Sequence, residues 1–175
     1  WWREHSPVAA ALPGLRRYST TRPIDPAATP YDGVAELYFD SREAFDRVLG
    51  PGADTEAMND VPRFIDTTDR YHLDETVHVD GDIGEHSLNT EVPVAEQTGF
   101  PVSEFVVFDQ DAGVTDEAFD AALSAEIQRA RHESEVDWFA SGVPADDADN
   151  DALLKRTHSE PPERVPTPAA RYPDL

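Results

Sequence analysis

The sequence predicts an α+β fold, because strand-like and helix-like spacings of apolar residues alternate along the 175-residue chain. Residues 34–39 carry apolar side chains at every second position, residues 71–79 carry them at 71, 73, 77 and 79, and residues 104–108 form a short apolar run, as half-buried and buried strands do. Residues 41–49 and 115–130 repeat apolar side chains every three or four positions, each after a Ser or Thr that suits a helix N-cap. Connections rich in Pro and Gly join these elements.

Residues 1–12 predict the later part of an amphipathic helix, with Trp1 and His5 on its apolar face. Pro7 is costly in a helix interior, so we expect a kink or break near Ser6. The Pro-Gly pair that follows Leu12 ends the helix.

Strands are predicted next at 15–21 and 34–39, then a helix at 41–49, a short helical piece at 55–60 and a strand at 71–79. The order is helix, strand, strand, helix, strand. One more strand in front would give β-α-β-β-α-β, the ferredoxin-like split unit in which two helices cover one face of a sheet. That first strand is missing from the sequence, which starts without Met, so we expect a fragment.

Acidic residues dominate the composition: 36 Asp and Glu stand against 14 Lys and Arg, a formal net charge of −22. Such a charge destabilises a compact chain by self-repulsion unless salt screens it, which indicates a salt-adapted protein. A surface for cationic partners is the alternative, but the carboxylates are spread along the whole chain. Nucleic acid is not an expected partner, because phosphates are bound by clustered Lys and Arg.

The sequence excludes some classes of functional site, and for others it contains no recognisable motif. The chain has no cysteine, which excludes disulfides, thiolate nucleophiles and cysteine metal sites. No apolar run approaches the ~20 residues that span a bilayer and no signal segment is recognisable, so we expect no membrane association and a cytoplasmic location. Without a Walker loop, Rossmann glycine pattern or serine elbow, no cofactor is expected.

A metal site is not expected either. His72 and His78 share one face of a predicted strand, but six residues at ~3.3 Å each separate them by about 20 Å, too far for one ion. His72 with Asp74 stays geometrically possible.

Four segments carry a resemblance to a known family: residues 2–5 (WREH), 12–18 (LPGLRRY), 31–39 (YDGVAELYF) and 63–66 (RFID). They are similar to the EthD family, small ferredoxin-like proteins that pair into dimeric α+β barrels. The resemblance covers about residues 1–79 well. It implies a homodimer, or a pseudo-dimer if the chain contains two copies.

The second half resembles the start of another EthD unit, because an apolar strand, a Gly-containing loop and a helix opened by Thr follow one another there. We therefore expect an EthD-like domain at 1–80, a linker at 81–102 and a partial or degenerate second copy at 103–175, with a further strand at 136–139. The alternative is that strand 104–108 completes the first sheet.

His5 is the candidate catalytic residue, since its imidazole can exchange a proton near neutral pH and shares the apolar helix face. The aromatic side chains Trp1, Tyr18, Phe39 and Phe64 are the candidate substrate-binding residues, suited to a small hydrophobic or aromatic molecule. Both sets have a structural alternative, a core histidine bound to a backbone carbonyl or to Tyr18, and ordinary core aromatics.

The resemblance implies a part in the breakdown or tailoring of small organic molecules, alongside oxidative enzymes or as a decarboxylase-like or dehydratase-like enzyme. Cofactor-independent acid-base chemistry at His5 is the enzyme hypothesis. The alternative is a non-catalytic ligand-binding or accessory protein, and a folded relic without ligand is a third possibility.

Overall fold

A computed structural model of the chain describes residues 1–66, 68, 71–81, 101–108, 113–133, 136, 138–144 and 152–158. The chain divides into two compact units: unit 1 comprises Trp1–Asp69 and Leu88–Gln97, and unit 2 comprises Arg70–Ser87 and Thr98–Leu175. Each unit combines helix with an antiparallel sheet. The predicted α+β class is therefore confirmed.

Unit 1 follows the predicted order of helix, strand, strand and helix. Its elements are α1 (His5–Ala10), β1 (Leu15–Thr21), β2 (Val34–Phe39), α2 (Arg42–Leu49), α3 (Glu56–Asp60) and a 3₁₀ turn (Val61–Arg63). Strands β1 and β2 pair antiparallel, with Tyr18 opposite Leu37. Ser41 caps α2 as predicted, because its side chain accepts a hydrogen bond from the backbone N–H of Ala44.

The predicted break near Ser6 is wrong. Helix α1 begins only at His5, so Pro7 is its third residue and lies in the first turn. Backbone N–H groups in the first turn have no partner within the helix, and a proline is tolerated there. The turn after Leu12 ends the helix as expected, with Gly14 at φ +80°, a conformation that favours glycine.

The core of unit 1 lies between the two-stranded sheet and its helices. Leu12, Val48 and Ala57 are buried at its centre. Further apolar side chains from α1, α2 and both strands pack around them: Val8, Leu15, Leu37, Phe39 and Leu49. This packing fixes the position of α1, and with it the side chain of His5.

Unit 2 is a four-stranded antiparallel sheet with one helix. Its elements are β3 (Leu73–Asp80), β4 (Val102–Phe108), α4 (Asp116–Ala130), β5 (Trp138–Pro144) and β6 (Ala152–His158), and the strand order is β3-β5-β6-β4. Because β4 and β5 both run antiparallel to β6, they are parallel to each other with β6 between them. Strand β4, helix α4 and strand β5 thus form a split β-α-β unit.

Two strands of this sheet correct the sequence analysis. Strand β3, expected in the N-terminal sheet, pairs instead with β5, with Val77 opposite Ala140. Alternation reports that one face of a strand is buried, but it does not say which strand lies beside it. Strand β6 was not predicted, and the strand expected at 136–139 is β5, which begins at Trp138.

The core of unit 2 lies between α4 and one sheet face. Its largest contributors are Phe119 and Leu123 from the helix and Val106, Phe139 and Leu154 from the strands. Thr115 caps α4 as predicted, accepting from the N–H of Ala118. Nearly all of the expected linker and the chain beyond residue 158 lie outside the described residues. In the described ranges, no helix is both long and apolar enough to span a membrane.

Candidate active site around His5

His5 is the first residue of α1, and its side chain is 8% exposed. Its backbone N–H donates to the carbonyl of Trp1 at 2.9 Å, which fixes the helix start. The imidazole Nδ1 lies 3.1 Å from Oδ2 of Asp60, the last residue of α3. Among the described residues, the imidazole is therefore hydrogen-bonded to a carboxylate.

Asp60 is held from a second direction. Its side chain is 11% exposed, and its Oδ1 accepts a hydrogen bond of 2.7 Å from Nη1 of Arg63. The same guanidinium donates through Nη2 to Oε2 of Glu4 at 3.2 Å. Because Glu4 directly precedes His5, four side chains close a circuit: Glu4, Arg63, Asp60 and His5. We call these four residues the His5 circuit.

The electrostatics of the circuit keep Asp60 ionised. Desolvation is the largest single influence and raises the pKa of Asp60, but the hydrogen bonds from His5 and Arg63 together lower it below its ordinary value. A carboxyl group whose folded-state pKa is depressed contributes stability above its unfolded pKa. That contribution is lost as the pH falls through the lower folded-state value.

Aromatic side chains lie near the circuit. The ring of Phe64 is 6.2 Å from the imidazole of His5, and the guanidinium of Arg63 lies over the same ring at 5.1 Å. Trp1 and Trp2 stack with ring centroids 4.1 Å apart. The ring of Phe64 is thus placed beside the imidazole of His5.

Tyr18 reaches α1 from β1. Its hydroxyl donates to Oγ of Ser6 at 3.3 Å, next to His5 in the chain. Burial raises the pKa of Tyr18, and contacts with the side chains of Ser6 and Trp1 offset this only in part. The hydroxyl therefore stays protonated at neutral pH and can donate a hydrogen bond.

The predicted site residues are only partly brought together. The rings of His5 and Phe64 are neighbours. Tyr18 contacts Trp1 and Ser6, and Ser6 directly follows His5 in the chain. Phe39, by contrast, packs edge-to-face on Phe45 at 5.8 Å, within the core against α2. Its structural contacts are those of a core residue.

The other predicted histidines lie in unit 2. Nε2 of His78 is 2.7 Å from Oγ of Ser141, and its ring is 5.3 Å from that of Phe139. Burial, followed by the charge of Arg131, lowers the pKa of His78, so the ring is neutral at physiological pH. Over the described residues, no group of three or more His, Asp or Glu side chains could hold a metal ion.

Asp60 is the residue that sequence reasoning missed. With 36 acidic residues in the chain, no single carboxylate stands out as a partner for His5. The one available signal was proximity in sequence to the EthD-like segment 63–66, three residues further on. Pairing across 55 positions is a tertiary property, and the helix pattern of α3 does not report it.

The model of the EthD domain family matches residues 1–68. This range contains every element of unit 1 from α1 to the 3₁₀ turn, and the whole His5 circuit. The resemblance seen in the sequence is thereby confirmed, and the EthD domain is a ferredoxin-like α+β domain. No curated protein and no solved structure matches the chain.

Proposed function

We propose that the EthD-like unit takes part in the breakdown or tailoring of a small organic molecule, with His5 as the residue that exchanges a proton with it. The observation that carries this proposal is a buried histidine bound to an ionised carboxylate inside the EthD-matched range. A histidine held in this way has the fixed orientation that general acid-base chemistry requires.

The proposed chemistry needs no cofactor. An enolisable or phenolic molecule transfers a proton from carbon or oxygen to the imidazole of His5, and the resulting imidazolium is stabilised by Asp60. The hydroxyl of Tyr18, which stays protonated, is suited to donate a hydrogen bond to the oxygen that becomes negative, in exchange for its present hydrogen bond to Ser6. Return of the proton to another atom of the molecule completes the reaction and restores the imidazole.

The proposed substrate is small and hydrophobic or aromatic, because the ring of Phe64 lies 6.2 Å from that of His5 and Tyr18 bonds to the adjacent Ser6. Trp1, whose carbonyl accepts from the backbone N–H of His5, completes the proposed binding set. Phe39 belongs to the predicted binding set as well, but its packing on Phe45 gives its replacement a larger expected effect on stability than on binding. The competing function is a ligand-binding or accessory protein that uses the same aromatic surface without transferring a proton.

A His5→Gln variant separates these two functions. Molecules that co-purify with the protein are identified by mass spectrometry, and a panel of phenols and enolisable alicyclic ketones is tested for binding by calorimetry. Exchange of carbon-bound protons for deuterium in the ketones is followed by NMR. We expect His5→Gln to slow exchange by about 10²–10⁴-fold while binding persists.

His132→Gln is the matched control, because His132 is exposed and lies in unit 2. Its exchange rate should equal that of the unchanged protein. Binding without any exchange would favour the accessory protein, and exchange that survives His5→Gln would contradict the catalytic role of His5.

We further propose that residues 103–175 form a partial second EthD-like copy, after a first copy at 1–80 and a linker at 81–102. In this proposal β3, the last strand of the first copy, pairs with β5 of the second copy. The split unit of β4, α4 and β5, with β6 inserted between the two strands, has the element order with which a ferredoxin-like domain begins. Pairing of two EthD-like copies gives a pseudo-dimer if both lie in one chain and a homodimer if they lie in two chains.

The net charge of −22 supports the proposal that the protein is salt-adapted. Raising KCl from 0.1 M to 1 M shortens the Debye length from about 10 Å to about 3 Å and so screens repulsion between carboxylates. We expect the midpoint of thermal unfolding to rise over this range. A midpoint that is constant or falls would refute salt adaptation, and a protein of near-zero net charge serves as the reference.

A further inference from the structure

We propose that Asp60 is a positioning residue for His5: its Oδ2 accepts the proton of Nδ1 and thereby leaves Nε2 as the nitrogen that exchanges a proton with the bound molecule. Only the exchange with a bound molecule rests on the proposed function. The location of the proton on the ring is a separate property of the folded protein, and it can be measured without any substrate.

The geometry fixes both partners. The two side chains are 8% and 11% exposed and meet at 3.1 Å, so water competes little for either group. Asp60 cannot rotate away easily, because Arg63 binds its other oxygen at 2.7 Å and is itself bound to Glu4. The carboxylate is thus anchored to the residue that directly precedes the histidine it contacts.

The chemistry of the pair then determines the tautomer. An ionised carboxylate can only accept hydrogen bonds, so a neutral imidazole beside it must carry its proton on Nδ1. The lone pair is left on Nε2, and a histidine that becomes charged gains its second proton there. A neutral imidazole in water favours the other tautomer, with the proton on Nε2. The observed contact therefore reverses the ordinary preference of the ring.

A structural reading of the same contact, in which it merely joins α1 to α3, makes a different prediction for variants. If Asp60 only links α3 to α1, substitutions that weaken this link lower the stability of the fold, whether or not they change the group that accepts the proton of His5. If it positions the proton, the tautomer follows the acceptor alone. Arg63 separates the two readings, since it supports Asp60 but does not contact the imidazole through any recorded hydrogen bond.

The test is a ¹H–¹⁵N correlation spectrum of the full chain with ¹⁵N-labelled histidine, recorded at a pH where the imidazole rings are neutral. Comparison with His5→Gln assigns the His5 signals among the 6 histidines. We expect a protonated Nδ1 and an unprotonated Nε2 in the unchanged protein. Asp60→Ala should shift the proton predominantly to Nε2, and Asp60→Glu should restore it to Nδ1.

Asp60→Asn is a second variant that keeps the test possible if Asp60→Ala does not fold. Its amide can accept through oxygen or donate through nitrogen, so both tautomers should be populated. Arg63→Gln is the control and should keep the proton on Nδ1. The proposal is overturned if the unchanged protein carries its proton on Nε2, if Asp60→Asn and Asp60→Ala leave the tautomer unaltered, or if Arg63→Gln shifts it equally.

These outcomes are independent of the proposed function. A tautomer that follows Asp60 in a protein whose deuterium exchange does not need His5 would reject the catalytic role and keep the positioning role. A tautomer that does not follow Asp60, in a protein whose deuterium exchange requires His5, would reject the positioning role and keep the catalytic role.

Discussion

Arg156→Met is expected to lower the free energy of unfolding of unit 2 by about 3 kcal/mol, the lower end of the ~3–5 kcal/mol typical when one partner of a buried ion pair is removed. The guanidinium of Arg156 on β6 is fully buried and donates hydrogen bonds to Glu126 on α4 and to Glu133. The Glu126 side chain is only 8% exposed, so its charge would stay buried with less compensation. Arg129 still binds Glu126 at 2.7 Å, which limits the loss.

Denaturant unfolding in a constant concentration of KCl measures this effect. Arg129→Met is the matched control: it removes an arginine from the same network, but that side chain is 45% exposed, and we expect a loss of about 0–1 kcal/mol. The double variant Arg156→Met with Glu126→Leu should regain much of the stability, because no buried charge is left without its partner. Equal losses for the two arginine variants would show that burial of Arg156 does not set its contribution.

Phe139→Ala is expected to destabilise unit 2 by about 3–5 kcal/mol, the range for truncating a large buried aromatic side chain. Phe139 on β5 is 0% exposed and belongs to the cluster between α4 and the sheet. Its ring also lies 5.3 Å from that of His78 and 5.4 Å from the guanidinium of Arg156. The substitution removes apolar contacts and leaves a cavity that the surrounding sheet cannot fully close.

Tyr71→Ala provides the control, because this aromatic residue beside β3 is exposed and its truncation should change the stability by no more than about 0.5 kcal/mol. The two unfolding curves should differ in midpoint but hardly in slope, since the native topology is retained. A loss for Phe139→Ala as small as that for Tyr71→Ala would mean that the cluster around it does not stabilise the sheet. Since Phe139 and Arg156 are in contact, their effects should not be additive.

Local elements could be predicted from the sequence because their signals are local. The strands predicted at 15–21 and 34–39 are β1 and β2 with their observed bounds, and the side chains of Ser41 and Thr115 begin α2 and α4 as expected. Pro7 misled the prediction because its effect depends on its distance from the helix start, which the apolar pattern does not define. Element boundaries were thus less predictable than element types.

Strand β6 shows why a buried strand can be invisible in a sequence. Four successive residues of this strand, Lys155, Arg156, Thr157 and His158, are buried in the fold although none is apolar. Their burial depends on partners from other elements: Glu126 and Glu133 for Arg156, and the ring of Phe105 for the ammonium of Lys155. A pattern of apolar residues cannot report a strand whose side chains are buried through such contacts.

The sequence by itself determined the α+β class and the inward side of α1 on which His5 lies, because both depend on spacing within a short segment. It also determined the EthD resemblance of the N-terminal part, which depends on short matching motifs. The tertiary structure alone decided that β3 pairs with β5 and that Asp60 is the partner of His5. Both contacts join residues more than 50 positions apart, and their choice among many similar strands and carboxylates depends on the packing of the whole unit rather than on any local preference.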